Sequence, residues 1–335
     1  MQNQQPLRWG ILGPGIIAHR MADALRSNPE SVLHSVASKT PDKAREFASG
    51  YENVQALSYD ELVNHEEVDV VYVATTHNFH HGNAKLALEH GKHVLIEKPF
   101  TVNAVEAREL AGIARDRKLF LMEAMWVRFL PVLQLLRSML RSGDIGEIVL
   151  ADLTFGGFVG PQYRERLESP ELAGGATLDT GIYPISVVSY LLGEIPTEIK
   201  SMAKMSETGV DETVTCQFRY PSGVLASIKT SYNLRTERIV RVYGTTGYIE
   251  FPDFQGGETF RLLHHGGTNE IKEVRDYQAS HGANGFTFQV EEVVRCVRSG
   301  QLESEIMPLD ESISIMEVMD RMRAEWKFRY PFEKE

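Results

Sequence analysis

The sequence predicts an α/β protein in two parts. An N-terminal doubly wound parallel sheet precedes a C-terminal α+β domain with a large, mostly antiparallel open sheet. Three observations predict it. Over about the first 120 residues, short apolar runs alternate with amphipathic stretches, as in repeated βα units. The run Val68-Asp69-Val70-Val71-Tyr72-Val73-Ala74 is almost continuously apolar and β-branched, as in a strand covered on both faces. After Met125 the texture changes to strand-like segments separated by turn residues.

Leu7–Leu12 reads as the first strand, followed by a helix from Ile16 to Arg26. Val32–Ser38 is the second strand, and the Pro41–Ser49 helix opens with Pro-Asp, suited to a first turn. After the 68–74 strand, a helix at Asn83–Glu89 leads through Gly91 to the strand His93–Glu97. A helix at Ala104–Arg117 precedes the strand Leu119–Met122. Beyond it, a helix at Leu130–Ser142 stops at Gly143. Strands are expected at Ile148–Phe155, Ile199–Lys204, Thr213–Tyr220, Val224–Ser231, Arg238–Val242 and Tyr248–Phe251. Helical patterns return at Phe286–Arg298 and Leu309–Trp326. The expected domains are residues 1–124 and 125–335.

Composition narrows the function. With 335 residues the chain can bury two cores, and its hydrophobic and charged contents of 42% and 24% are those of a globular protein. A net charge of -11 argues against a nucleic-acid partner, because phosphate backbones are held by clustered Lys and Arg. The two cysteines, Cys216 and Cys296, are too few for a disulfide framework and suit a reducing compartment. The polar start Met1–Pro6 has no apolar signal segment, and no run approaches the roughly 20 apolar residues that span a bilayer. A cytoplasmic protein without a membrane partner is expected.

Gly13-Pro14-Gly15-Ile16-Ile17-Ala18 is a G-x-G-x-x-A run between a strand and a helix. Gly13 permits the tight turn, Gly15 lets the backbone approach a pyrophosphate, and Ala18 allows close helix–sheet packing. The N–H groups of Ile16 and Ile17 then face the phosphates at the helix start. A glycine motif alone is weak evidence, but the surrounding βα units fit a Rossmann domain. Cofactor choice is made at the end of the second strand, where an acid binds the ribose of NAD and a cation binds the 2′-phosphate of NADP. Here Ala37-Ser38-Lys39-Thr40 offers no acid before Asp42. Ser38 can donate a hydrogen bond and Lys39 can pair with phosphate, so NADP is expected over NAD, although Lys39 also reads as a solvated surface lysine.

Ala74-Thr75-Thr76 with His80, and the string Gly91-Lys92-His93-Val94-Leu95-Ile96-Glu97-Lys98-Pro99, resemble the Gfo/Idh/MocA oxidoreductase family. Thr75-Thr76 departs from the Thr-Pro of many members and bears on the shape of that loop. The segments Glu123–Pro131, Gly174–Pro184 and Thr208–Val214 resemble the dimeric dihydrodiol dehydrogenase and glucose–fructose oxidoreductase branch. Together these matches span nearly the whole chain. The resemblance implies a cis peptide before Pro99. It places Thr75, His77, His80, Glu97, Lys98, Trp126 and Arg128 beside the cofactor.

Oxidising an alcohol sends a hydride to the nicotinamide and the hydroxyl proton to a base, so a proton-handling group must serve the reacting carbon. The resemblance supplies Lys98, Asp179 and Tyr183. Spacing of four puts Asp179 and Tyr183 on one side if their segment is helical. A free phenol titrates near 10, and an adjacent lysine ammonium favours the phenolate. Each residue also has an ordinary reading. Tyr183 suits a core tyrosine, Asp179 a helix cap or a partner of Lys98, and Trp126 and Arg128 packing. His77, His80 and His81 cluster without further ligands, so no metal is expected. Phe155, Phe158 and Tyr163 are candidates for lining a substrate cleft, or ordinary core.

The expected activity is hydride transfer on a sugar, polyol or trans-dihydrodiol, a small hydroxylated substrate. The competing reading is a non-catalytic NADP(H)-binding regulatory protein of the same fold. The resemblance also implies a homodimer or higher homo-oligomer through the open face of the C-terminal sheet.

Overall fold

The apolar runs of the N-terminal third form strands β1 (Leu7–Leu12), β2 (Ser31–Ala37), β3 (Gln55–Leu57), β4 (Val70–Val73), β5 (His93–Glu97) and β6 (Leu121–Ala124). In this computed structural model, which describes residues 5–333, they pair in parallel in the order β3-β2-β1-β4-β5-β6. Residues 1–4, on which part of the N-terminal reading rests, lie outside the described residues. Helices α1 (Ile16–Ser27), α2 (Pro41–Ser49), α3 (Tyr59–Asn64), α4 (His80–Glu89) and α5 (Ala104–Arg117) make the crossovers. Strand order reverses between β1 and β4, and in such sheets ligands bind at the carboxyl ends beside that reversal. The buried face of α1 is Ala18, Met21, Ala22, Ala24 and Leu25, mostly small side chains that bring the helix close to the sheet.

The chain divides into two compact units, Met1–Trp126 with Ala283–Ile313, and Val127–Gly282 with Ser314–Glu335. The expected run 125–335 is therefore not one body. Residues 283–313 return to the first unit because their bonding partners are there. Leu302 O accepts from Leu121 N–H on edge strand β6 (3.0 Å), Asn284 Nδ2 donates to Arg20 O (2.9 Å), and Arg298 pairs with Glu30 (2.9 Å).

The second unit holds α6 (Pro131–Ser142), β7 (Ile148–Gly156), α7 (Pro161–Leu167) and α8 (Ile182–Leu192). They are followed by β8 (Glu198–Met205), β9 (Asp211–Arg219), β10 (Leu225–Ser231), β11 (Arg238–Gly244), β12 (Gly247–Phe251), β13 (Thr259–His264) and β14 (Glu273–Gln278). The sheet order is β14-β13-β12-β11-β7-β10-β9-β8, antiparallel except for the parallel β7–β10 pair. Helix α9 (Thr287–Ser299) lies in the first unit, and α10 (Leu309–Glu325) runs across the division. Residues 182–191 of α8 are all buried, which explains a sequence that is apolar all round. Among the described residues no helix is long and apolar enough to cross a membrane.

Candidate active site

In the first unit, the turn after β1 is fixed by Gly13, whose φ is +100° and whose Cβ, if present, would lie 2.8 Å from the Ala74 carbonyl oxygen. No L side chain suits that position. Gly15 is the N-cap of α1 and supplies no side-chain cap, and the first turn carries no acid. Its N–H groups are thereby left for an anion. A Cβ on Gly15 would meet nothing within 4 Å, and Ile16 is exposed. Ala18 is fully buried against the sheet. This cradle fits a pyrophosphate.

At the end of β2, Ser38 Oγ accepts from Thr40 N–H (3.1 Å). Lys39 Nζ lies 3.9 Å from the centroid of the half-exposed Phe79 ring, a cation–π contact that steadies the ammonium. Asp42, the first acid downstream, is exposed and bonds Arg45. Phe79 was not singled out by the sequence reading, because its exposure in the β4–α4 turn is not written in any local pattern.

After β4, Thr75 Oγ1 accepts from Asn83 Nδ2 (3.1 Å), and Thr76 bonds Asn78 within its own turn (2.8 Å). The three histidines part company. His77 is buried and meets His80 edge-on with centroids 5.7 Å apart, while His81 turns to Glu109 (2.9 Å). His80 has Nδ1 2.7 Å from Pro99 O and Nε2 3.1 Å from Thr75 O, which ties the β4 turn to the loop after β5.

That loop carries Lys98. Glu97 is wholly buried, accepts from the Tyr72 hydroxyl through Oε1, and takes the Lys98 N–H on Oε2 (3.2 Å). Burial pushes the Glu97 carboxyl above its ordinary value, against the opposing pull of Tyr72 and Lys98. The Lys98–Pro99 peptide is cis. One residue on, Phe100 N–H donates to Glu123 Oε1 (3.0 Å), and Ser312 Oγ donates to Oε2 (2.9 Å). Glu123 thus supports the lysine loop from beneath. Sequence reading had placed it only in a motif string. Trp126 is buried 5.4 Å from Phe286, and the Arg20 guanidinium lies over both rings at 4.4 and 4.2 Å.

In the second unit, Arg128 is fully buried and donates from Nε to Ser186 Oγ (2.8 Å) and from Nη2 to Ser186 O (2.6 Å). The structure gives this residue, expected beside the cofactor, an anchoring contact on α8. Asp179 lies on a π-helical turn, Thr177–Gly181, that runs into α8. Its four-residue spacing to Tyr183 therefore crosses a π/α junction, where regular α-helical facing does not hold. Asp179 Oδ1 accepts from Arg166 Nη2 (2.9 Å), a partner invisible to local sequence patterns. Tyr183, in the first turn of α8, is buried with its ring perpendicular to Phe155 at 5.3 Å. Phe155 is core, whereas Phe158 is exposed.

The π turn hangs from Asp211. Its Oδ2 accepts from both the N–H and the hydroxyl of Thr177 (2.6 Å each), and Thr180 Oγ1 bonds Thr230 Oγ1 (2.7 Å). Two buried thiols complete the picture, with burial pushing both Cys216 and Cys296 up to about 12, too high for ready thiolate chemistry.

A phosphate cradle at the switch point of a parallel sheet, joined in one chain to an open-sheet unit, defines a nucleotide-dependent oxidoreductase fold. A family model described as an oxidoreductase family with an NAD-binding Rossmann fold matches residues 7–125, and the Gfo/Idh/MocA C-terminal domain model matches residues 133–250. The chain belongs to the Gfo/Idh/MocA oxidoreductase family. It is 34% identical to a trans-1,2-dihydrobenzene-1,2-diol dehydrogenase of Bos taurus, over 98% of this chain and 99% of the relative. It is also 34% identical to a D-xylose 1-dehydrogenase (NADP(+)) of Hypocrea jecorina, over 98% and 94%. In fold it matches a 3-ketoreductase from Actinomadura kijaniata solved with NADP and TDP-benzene, with a TM-score of 0.85, 24% identity and coverage of 96% and 98%. An aldose-aldose oxidoreductase from Caulobacter crescentus matches with a TM-score of 0.86 at 24% identity, over 97% and 99%.

Proposed function

We propose that this protein is an NADP-dependent dehydrogenase or reductase acting on a hydroxyl-bearing carbon of a sugar, polyol or trans-dihydrodiol. The end of β2 carries the cofactor choice. Ser38 and Lys39 stand where NAD enzymes place an acid, and the nearest acid, Asp42, is bonded to Arg45. Relatives named for dihydrodiol and NADP-linked xylose oxidation support the substrate class.

Bound nicotinamide supplies the hydride acceptor or donor. Gly13, Gly15, Ile16 and Ile17 hold the pyrophosphate, and Ser38 with Lys39 binds the 2′-phosphate. Thr75, His77, His80, Glu97 and Trp126 shape the rest of the cofactor site. Tyr183 takes the hydroxyl proton during oxidation and returns it during reduction. Lys98 is the second proton-handling group, and Asp179, tied to Arg166, positions the Tyr183 segment. The substrate is a small hydroxylated molecule, and the open sheet face pairs with a second copy of the chain. Two buried free thiols suit a reducing cytoplasm.

The test is a fluorescence titration with NADPH and NADH, followed by nicotinamide absorbance against pentoses, hexoses, polyols and trans-diols. Expected are tighter NADPH binding, weakened by Lys39→Ala, and turnover on one panel class. In Tyr183→Phe the expected kcat loss is about 10²-fold or more, with NADPH binding retained. Preference for NADH overturns the cofactor assignment. Binding without turnover on any class favours a regulatory protein, and an unchanged rate and pH profile in Tyr183→Phe removes the acid/base assignment.

A further inference from the structure

The first unit carries a second constellation that hydride transfer does not use. The β1–β2 register slips between Trp9 and Gly10, which pair with Leu33 and Ser35, so His34 is the extra residue of a bulge in β2. Bulges re-aim a side chain out of the regular ladder. The ladder of β2 with β3 begins only at Ser35, and His34 Nε2 lies 3.3 Å from Gln55 Nε2 at the start of β3, a contact that a metal on that nitrogen displaces. There it meets the turn between α3 and β4. The His34 and His65 rings lie 4.6 Å apart, and His34 Nε2 lies 3.6 Å from Glu67 Oε2.

This turn is built rather than loose. Lys92 Nζ donates to the carbonyls of His65 (2.7 Å) and Val68 (2.8 Å), and Glu67 N–H donates to His65 Nδ1 (3.2 Å). With Nδ1 accepting, a neutral His65 carries its proton on Nε2, so a metal bound through either ring nitrogen displaces the Glu67 N–H bond. Glu67 divides its oxygens: Oε1 takes Arg8 Nη1 (3.3 Å), while Oε2 faces His34. Arg8 is itself held by Asp69 through Nε and Nη2 (3.2 Å each). One ligand atom from each of His34, His65 and Glu67 lies within 4.8 Å of the others.

We propose that His34, His65 and Glu67 bind a zinc-class divalent ion. Two imidazoles and a carboxylate are a zinc donor set, and Mg²⁺ or Ca²⁺ prefers oxygen alone. Zinc at its usual ligand distances sets neighbouring ligand atoms about 3.4 Å apart. The cluster closes to that spacing by a small movement of the exposed Glu67 and the half-exposed His65. Three protein ligands leave the fourth position to water. The ion clamps β2 to the α3–β4 turn, and its effect is on the stability of the first unit.

The experiment is equilibrium dialysis of the full chain against Zn²⁺ and separately Mg²⁺, with thermal unfolding and the visible spectrum of the Co²⁺-loaded protein. Expected are one Zn²⁺ per chain, a Tm rise with Zn²⁺ but not Mg²⁺, and a tetrahedral Co²⁺ spectrum. His65→Gln and His34→Gln each weaken Zn²⁺ binding at least tenfold. His90→Gln, an exposed histidine elsewhere in the unit, leaves it unchanged. Should His34→Gln not fold, His65→Gln and Glu67→Gln lie on a surface turn and carry the test. Absence of Zn²⁺ uptake by the folded wild type, or equal uptake by wild type and His65→Gln, overturns the site.

Discussion

Asp211 is wholly buried, its Oδ2 holding Thr177 and its Oδ1 without a partner. Burial outweighs the two Thr177 bonds and raises its pKa from an ordinary 3.8 to about 6. Below 3.8 the group is protonated in both folded and unfolded chains, and its contribution to stability is fully present. Between 3.8 and about 6 the unfolded chain releases the proton while the folded chain keeps it, so stability falls as pH rises. The loss is complete above the folded value and amounts to about 3 kcal/mol, at 1.36 kcal/mol per unit. In Asp211→Asn this slope disappears. Urea unfolding of both proteins from pH 3 to pH 7 reads it, and the stability difference between wild type and variant should fall by that amount. A difference that stays flat removes the buried-proton account. The sequence showed Asp211 only as part of a motif string. Its burial, like the Arg166–Asp179 pair and the support of Phe100 by Glu123, arises from contacts across 34, 13 and 23 residues. No local pattern carries such information.

The glycine turn before α1 was legible because its demands are local. Gly13 and Gly15 look equivalent in the motif, yet the structure separates their jobs. Alanine at 13 sits at positive φ and drives its Cβ to within 2.8 Å of Ala74 O, so Gly13→Ala lowers stability by about 1–3 kcal/mol. Alanine at 15 meets open space at a φ of -84°. Gly15→Ala therefore leaves Tm nearly unchanged while weakening NADPH binding, since its methyl occupies room meant for the pyrophosphate. Thermal unfolding and NADPH titration of both variants check this, and an equal Tm loss in the two sinks the division. Elements without a strong local signature went unread. β3 has three residues and α3 six, and β14, Glu-Val-Arg-Asp-Tyr-Gln, is almost wholly exposed, so no alternation marks it. The return of residues 283–313 to the first unit was equally hidden, because α9 is amphipathic whichever surface it covers.

At the scale of the whole molecule, the register of the second sheet aligns an apolar row across its outer face. Val274, Leu263, Tyr248, Tyr243, Leu150 and Leu225 are successive cross-strand neighbours from β14 to β10. Val274, Leu150 and Leu225 are exposed, and Met202 on β8 is 74% exposed. Beside this row runs a ladder of alternating charge, Asp276, Arg261, Glu250, Arg241 and Asp152, paired in the same order. Its neighbours bond one another, as in Arg241–Glu250 (2.8 Å) and Arg261–Asp276 (3.2 Å). A face of this kind suits a second copy of itself. Its apolar row gains from being covered, and its acids and bases, balanced along the ladder, can meet their counterparts under a two-fold axis. We infer a homodimer through this face. The charge of -11 sets a repulsion that burial of the apolar row must exceed, so charges buried in that row should part the copies. Light scattering should give a two-chain mass for the wild type and a one-chain mass for Leu150→Glu with Leu225→Glu. Near-native far-ultraviolet circular dichroism is expected, since both side chains already face water in the single chain. A two-chain mass that survives both substitutions places the contact on another surface.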